Sequence, residues 1–396
     1  MSDKNYGIAI DVGTTTVAVY LVDMETGVVI ATTGDTNAQD IYGADVTSRI
    51  RYSSDNGHEK PTQVITEQLS SMIKAACVSA DVKTEQIIKI TVAANTVMQH
   101  LVAGLSPVSL GKAPFTPVSL FGGELPVWDN LPVADNAKIY YTPAVSAYVG
   151  GDITAGLFAA DFENENKPAL FIDIGTNGEL VLKHKDTYYC CATAAGPAFE
   201  GAEITKGMAA IDGAVDHVWS GGSGKIEFSV IGGGRPKGLC GSGLLDLLAV
   251  LLDIGTVDST GRLLGKDRFY LDEASDIFIT AEDIRKLQLA KAAIAAGIEV
   301  LLHFAGISET DVKLLALAGG FGSYMDLKSA ARIGLIPKSL LPVAKVLGNT
   351  AGEGAVKTLL CSDAQERLEK IREHCEYVEL SSIAFFNDKF VEQMGF

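Results

Sequence analysis

Two aspartates, Asp11 and Asp173, each stand near the head of the same short phrase: IDVGTTTVAV from Ile10 and IDIGTNGELV from Ile172. A carboxylate at a strand end can hold a hydrated divalent ion. The glycine that follows lets backbone approach a ligand, and successive N–H groups with hydroxyls can cup a phosphate. Those residues are Gly13, Thr14, Thr15 and Thr16 in the first copy, and Gly175, Thr176, Asn177 and Gly178 in the second. A lone DxGT recurs by chance. Here the flanking patterns match as well, and the aspartates lie 173 − 11 = 162 residues apart, about one domain's length. Two such loops facing each other make a phosphate clamp; the bland alternative is a pair of ordinary glycine hairpins.

The elements that must position these loops are legible around them. Apolar runs over 6–12, 17–22 and 28–32, with a turn signal at Glu25-Thr26-Gly27, predict an antiparallel meander. The second copy predicts the same over 169–173, 180–183 and 187–191. A further buried strand over 313–318 runs into Gly319-Gly320-Phe321-Gly322, where a double glycine permits backbone to approach a flat ring or sugar. Helical spacing places Ile65, Leu69, Met72, Ile73 and Ala76 on one face of a helix over 64–76, ahead of a strand over 87–93 and a helix over 95–103. A long amphipathic helix is expected over 281–304.

Other segments are less regular. Between 106 and 143 stand Pro107, Pro114, Pro117, Pro126, Pro132 and Pro143, a density that disfavours helix and suggests an excursion facing a partner. Small-residue runs around Gly150-Gly151-Asp152 and Gly348-Asn349-Thr350 would permit close helix crossing at two interlobe connections. Asp152 is a candidate water-positioning base, against an N-cap role. Gly241 and Ser242, in GLCGSG, open a helix whose exposed donors favour anions, with simple capping by Ser242 as the equal alternative. His100, four residues after Thr96 on its helix, reads as a packed or hydrogen-bonded side chain rather than a ligand.

Composition excludes more than it identifies. At 396 residues, 47% of them hydrophobic, the chain can bury more than one core. A net charge of −17 with pI near 4.8 argues against nucleic acid or anionic membrane as partner. The apolar run 244–252 is broken by Asp246 and followed by Asp253, and no stretch of consecutive apolar residues approaches 18. No signal peptide precedes Gly7, so a cytoplasmic location is expected. Cys77, Cys190, Cys191, Cys240, Cys361 and Cys375 match no zinc or iron–sulfur spacing and read as reduced structural thiols.

The order of first phosphate loop, second phosphate loop and Gly319-Gly320-Phe321-Gly322 resembles the actin, sugar-kinase and heat-shock-chaperone superfamily. That resemblance implies an α/β, two-lobed actin-like ATPase fold of duplicated ribonuclease-H-like lobes with an inserted subdomain, closing over Mg-ATP. The first lobe is expected over 1–165, including the proline-rich excursion, and the second over 166–396. Longer stretches narrow the resemblance: Asn37-Ala38-Gln39, Tyr42-Gly43-Ala44-Asp45-Val46, Ser48-Arg49-Ile50, GPAFEGAEITKGMAA from Gly196, GLCGSGLLD from Gly238, AKAAIAAGIEVLL from Ala290, LAGGFG from Leu317 and LSSIAFFNDKF from Leu380. These resemble ATP-dependent reductive activators of corrinoid proteins. That family uses ATP to drive an electron from an iron–sulfur centre onto a partner's cobalamin, turning Co(II) into Co(I).

The resemblance implies ATP and Mg²⁺ as cofactors. Asp11 and Asp173 would hold the metal; Thr14, Thr15, Thr176 and Asn177 would bind phosphate oxygens. Gly13, Thr16, Gly175, Gly178, Gly241, Ser242, Gly319, Gly320, Phe321 and Gly322 complete the expected nucleotide site. Two departures stand out. The N-terminal iron–sulfur domain usual in the family is not in this sequence, so no cluster is expected in this chain; a separate ferredoxin-like donor or a missing N-terminal domain would supply electrons. Ala94 also replaces the glycine expected before Asn95. The alternatives are a small-molecule kinase, an activator of 2-hydroxyacyl-CoA dehydratases and an actin-like filament or chaperone-like module; the oligomeric state, a homodimer included, stays open.

Overall fold

The computed structural model describes residues 4–128, 131, 133–222, 225–322 and 324–396. Two compact units partition the chain: Met1–Glu165 with Asn349–Tyr377, and Asn166–Gly348 with Val378–Phe396. The sequence-based division assigns everything after 165 to the second lobe, whereas residues 349–377 pack into the first unit. The reason lies in the small residues of that segment, described below.

In the first unit the strands are β1 (Tyr6–Val12), β2 (Thr16–Asp23), β3 (Val29–Thr36), β4 (Ile87–Ala94), β5 (Glu124–Leu125) and β6 (Lys138–Tyr141). They form one sheet in the order β3-β2-β1-β4-β6-β5, antiparallel through β3-β2-β1 and parallel from β1 through β4 to β6. Helices α1 (Val46–Asn56), α2 (Glu59–Ser79) and α3 (Thr96–Val102) share a core with one face, where Ile8, Ile10, Leu21, Ile65, Leu69 and Ile73 are buried together. On the other face lie α4 (Gly151–Ala159) and α9 (Thr350–Leu360), around Ala9, Val22, Ala93, Ala155, Ala355 and Leu359. Coverage on both faces is why β1 is apolar without alternation from Gly7 to Ile10, ahead of Asp11.

The α4–α9 crossing explains the two small-residue runs. A Cβ added at Gly354 would lie 2.1 Å from the Ala155 carbonyl oxygen, so only glycine admits this approach. The two runs thus meet each other inside one unit. The proline-rich segment ends as β5 and β6 on the edge of the sheet. It is anchored by buried His100, whose Nδ1 bonds the Thr96 carbonyl at 2.7 Å while Nε2 accepts from the Val118 N–H at 3.1 Å. Pro132 of that segment lies outside the described residues.

The second unit repeats the plan. Its strands are β7 (Ala169–Ile174), β8 (Gly178–His184), β9 (Thr187–Thr193), β10 (Ala214–Ser220), β11 (Ile226–Val230), β12 (Gly238–Leu239), β13 (Arg268–Asp272), β14 (Ile277–Thr280), β15 (Leu314–Ala318) and β16 (Ala344–Gly348). Within this unit the strands of the main sheet run β9-β8-β7-β15-β16, with β9-β8-β7 antiparallel and β7-β15-β16 parallel. This is the β3-β2-β1-β4-β6 order of the first unit, strand for strand. Two small sheets, β11-β10-β12 and β13-β14, stand outside it and were not anticipated.

Helices α5 (Gly241–Asp253) and α6 (Ala281–Ala305) contribute to the core of this unit. By length and hydropathy α6 could cross a membrane, but 78% of its most apolar window is buried inside the protein, as expected of a core helix. Its start is fixed by a capping box between Thr280 and Asp283. The chain continues through the one-turn α7 (Gly319–Gly322), α8 (Leu327–Arg332), α10 (Ala364–Glu373) of the first unit and α11 (Ala384–Glu392) of the second.

Candidate functional site

In each unit the repeated aspartate sits at the end of the strand where the antiparallel meander meets a parallel neighbour. Asp11 pairs with Ala18 on β2 and Ala93 on β4; Asp173 pairs with Glu179 on β8 and Ala318 on β15. The Gly319 turn after β15 is therefore the counterpart of the Asn95 turn after β4, a duplication hidden in the sequence because the two turns share no residue pattern. The loops are not identical in length. Residues 13–16 lie between paired Val12 and Val17, but only 175–177 lie between paired Ile174 and Gly178.

The first loop is held from behind, carbonyl by carbonyl. Gly13 N–H donates to Thr16 O at 2.9 Å, closing the turn. Asn37, fully buried, donates its side-chain amide to Gly13 O at 2.8 Å and its backbone N–H to Thr15 O at 2.8 Å. Arg49, only 1% exposed, donates to Thr14 O at 2.7 Å. In a trans peptide the N–H points opposite to the C=O. Drawing the carbonyls of Gly13 and Thr14 backwards therefore turns the amides of Thr14 and Thr15 forwards, as a phosphate cradle requires. Asn95 caps α3 through Met98 N–H at 3.0 Å and donates to Thr14 Oγ1 at 3.1 Å, leaving that hydroxyl's own proton to point elsewhere. Ala94 is fully buried, and the turn acts here by placing Thr14.

Asp11 has a partner the sequence did not suggest. Asn349 caps α9 by accepting from Gly352 N–H at 2.9 Å, and its Nδ2 donates to Asp11 Oδ2 at 2.7 Å and to Tyr20 OH at 3.3 Å. Loss of water pushes the Asp11 carboxyl up to about 6, and the Asn349 hydrogen bond restrains the rise. The Tyr20 phenol is raised by burial and then by the Asp11 charge. Asp152 occupies the second position of α4; the N-cap is Gly150, and Asp152 Oδ1 accepts from Ile153 N–H at 2.8 Å.

In the second unit Gly175 N–H closes on Asn177 O at 3.0 Å. Thr176 Oγ1 lies 3.1 and 3.2 Å from the two carboxylate oxygens of Glu200. A carboxylate only accepts, so the hydroxyl proton goes to Glu200 and Thr176 offers lone pairs to whatever stands before it. Gly178 lies in β8, its carbonyl accepting from Thr193 Oγ1 at 3.0 Å; a Cβ there would come within 2.7 Å of that hydroxyl. Its place is one of packing.

Three further glycine loops converge within this unit. Gly319, at φ +88°, leaves a would-be Cβ 2.4 Å from Asp173 Oδ1. A Cβ on Gly241 would strike the Phe199 carbonyl and come within 2.8 Å of the Phe321 ring. Phe199 and Phe321 stack at 5.1 Å between centroids with 18° between planes. Gly320 has open space where a Cβ would be, and Gly322 is buried. Ser242 does not cap α5, whose N-cap is Cys240; it is buried in the first turn, 3.4 Å from Cys240 Sγ. Sequence reasoning missed Asn349, Glu200, Asn37 and Phe199. Glu200, Phe199 and Asn37 had a signal, since they lie in the family-type stretches GPAFEG and Asn37-Ala38-Gln39, and Asn349 in the small-residue run around Gly348.

A duplicated sheet of this order, each copy carrying a glycine-threonine loop beside a strand-end aspartate, defines an actin-like ATPase fold. The chain belongs to the RACo family: residues 167–396 match the C-terminal domain of RACo, the ASKHA domain, and residues 6–165 match the RACo middle region. It is 36% identical over 419 residues to the corrinoid activation enzyme RamQ of Eubacterium limosum, covering 98% of this chain and 69% of that protein. It is 25% identical over 437 residues to the [Co(II) methylated amine-specific corrinoid protein] reductase of Methanosarcina barkeri, covering 99% and 77%. A solved reductive activator for corrinoid, iron-sulfur protein superimposes with a TM-score of 0.89 at 38% identity over 100% of this chain. The chain spans 66% of that solved chain, just under two thirds of its length.

Proposed function

We propose that the chain is the ATPase part of a system that drives reductive activation of a corrinoid protein, Co(II) to Co(I), with electrons from an iron–sulfur centre. The observation that carries this reading is membership of the RACo family along nearly the whole chain, and the two aspartate-glycine-threonine loops support it. In this reading ATP is the substrate of the two loops, Thr14 and Thr15 presenting donors to its phosphates. Asp11 and Asp173 would hold Mg²⁺, largely through water. The chemistry of Asp11 fits: a half-buried carboxyl, raised by desolvation and served by one side-chain donor, gains from a nearby cation, which supplies electrostatic neutralisation of the phosphates when bound. Asn349 then orients Asp11, and Glu200 fixes Thr176 as an acceptor.

ATP is useful because the electron transfer is uphill. For a one-electron couple each tenfold change in equilibrium corresponds to about 59 mV, so differential binding of ~4 kcal/mol moves a cobalt potential by roughly 0.2 V. Only unequal grip on the two cobalt states accomplishes this. The test mixes the chain with a Co(II) corrinoid protein, a low-potential reductant and ATP, and follows the visible spectrum. Co(I) forming only with ATP is the expected result. Absence of any ATP effect, with ATP consumption stimulated by a metabolite instead, would replace this reading with a kinase.

A further inference from the structure

We propose that Arg49 is a positioning residue for nucleotide, a buried cation whose counter-charge is the phosphate on the opposite side of the first loop. It would set the affinity for ATP rather than the stability of the empty protein. The inference rests on the ATP reading of that loop.

The side chain is delivered by a tight local fold. The Asp45–Ser48 capping box starts α1, and Gly43, at φ +149°, lies so close to Ser48 that a Cβ would come within 2.5 Å of the hydroxyl. Arg49 then spreads its donors over four acceptors: Gly43 O at 2.9 Å from Nε, Thr14 O at 2.7 Å, Gln39 Oε1 at 3.4 Å and Met98 Sδ at 3.1 Å. All four are neutral. Gln39 is itself buried and donates to Pro61 O at 3.0 Å, which fixes its oxygen toward the guanidinium. Asp40 and Asp45 attract Arg49 from exposed positions without touching it, and desolvation still outweighs them, lowering its pKa to about 10.

A cation shut away from water and paired with no carboxylate among the described residues is costly to keep. An anion arriving on the far side of Thr14 offsets that cost. The link is covalent: the guanidinium draws on the carbonyl of the Thr14–Thr15 peptide, which polarises the N–H of the same peptide, directed forwards. If Arg49 only fixed the shape of the loop, its loss would weaken the fold and the affinity together, and a lysine unable to reproduce its fork of hydrogen bonds would restore neither. A counter-charge role leaves the empty fold intact and lets a lysine restore affinity.

The experiment uses the full chain with Arg49→Met, Arg49→Lys and wild type, measuring melting temperature without nucleotide, ATP binding with Mg²⁺ by calorimetry, and turnover. Wild type must bind ATP first; if it does not, the nucleotide reading itself fails. Arg49→Met is expected to melt within about 3 °C of wild type or above it, with ATP Kd raised at least about tenfold and KM changed more than kcat. Arg49→Lys, which keeps the charge, is expected to recover most of the affinity. Wild-type Kd in Arg49→Met overturns the proposal at any melting temperature, as does Arg49→Lys binding no better than Arg49→Met. Should Arg49→Met not fold, Arg49→Gln takes its place under the same criteria.

Discussion

Asn349 Nδ2 donates to Asp11 Oδ2 at 2.7 Å, joining residues 338 positions apart. The helix whose N-terminus Asn349 caps therefore holds the carboxylate at the end of the first strand. A hydrogen bond to a charged group is worth about 1.5–3 kcal/mol. Asn349→Ala is expected to lower ATP turnover by roughly 10- to 100-fold while circular dichroism shows the fold retained. Steady-state kinetics on the variant decide it, and wild-type turnover would show that Asp11 does not need Asn349 to act. Asp11→Ala and Asp173→Ala are each expected to abolish turnover.

The Asp11 carboxyl carries a pH signature. Its pKa in the fold is about 6, against 3.8 ordinarily. Between those values the native state holds more protons than the unfolded chain, so stability falls as pH rises through the window. The loss is complete above pH 6 and amounts to ~3 kcal/mol at most. Asp11→Asn removes this cost. Urea melts at pH 7.5 should show the variant more stable than wild type, and at pH 4 the two should converge. Turnover by wild type should fall with acid as the carboxylate is lost, at a pH held below about 6 by any cation that Asp11 binds.

Thr176 and Glu200 act as a unit through one shared proton. Thr176→Val and Glu200→Ala are each expected to reduce kcat by roughly 100-fold, and the double variant by little more than either. Additive losses in a double-mutant cycle would mean that the two residues serve separate roles.

Neighbouring glycines of the Gly319 turn should respond differently. Gly319 has φ +88° and no room beside Asp173, so Gly319→Ala must displace that carboxylate and strain the backbone. A clear fall in melting temperature and ATP affinity is expected. Gly320 has empty space around its would-be Cβ, so Gly320→Ala should leave melting unchanged; any loss confined to ATP binding would place nucleotide against it.

The α4–α9 crossing offers a test remote from the loops. A Cβ at Gly354 would meet backbone atoms of Ala155, which cannot swing aside. Gly354→Ala is expected to destabilise the protein by ~1–3 kcal/mol, read as a lower urea midpoint. An unchanged midpoint would show that the two helices part easily.

Much of the fold was local and therefore legible. The strand 6–12 was found to the residue, and the helices over 64–76, 244–252 and 281–304 were found with only their ends misplaced. Periodicity marks a helix's buried centre, while its ends depend on caps such as Thr280 and Cys240. The hairpins β10–β11 and β13–β14 escaped because exposed and half-buried positions dominate most of their strands, erasing the alternation that signals a strand.

By itself the sequence determined the two aspartate-glycine-threonine loops, the meanders that carry them, and the glycine turn at 319, because each is written in consecutive residues. Tertiary structure alone decided which side chains serve them. Asn37, Arg49, Asn95 and Asn349 reach the first loop and its aspartate from four separate elements, and Glu200 reaches the second from 24 positions away. Hydrogen bonds have a range of about 3 Å in space and none along the chain. Which carbonyl meets which donor is fixed only when the sheet and its covering helices close around them.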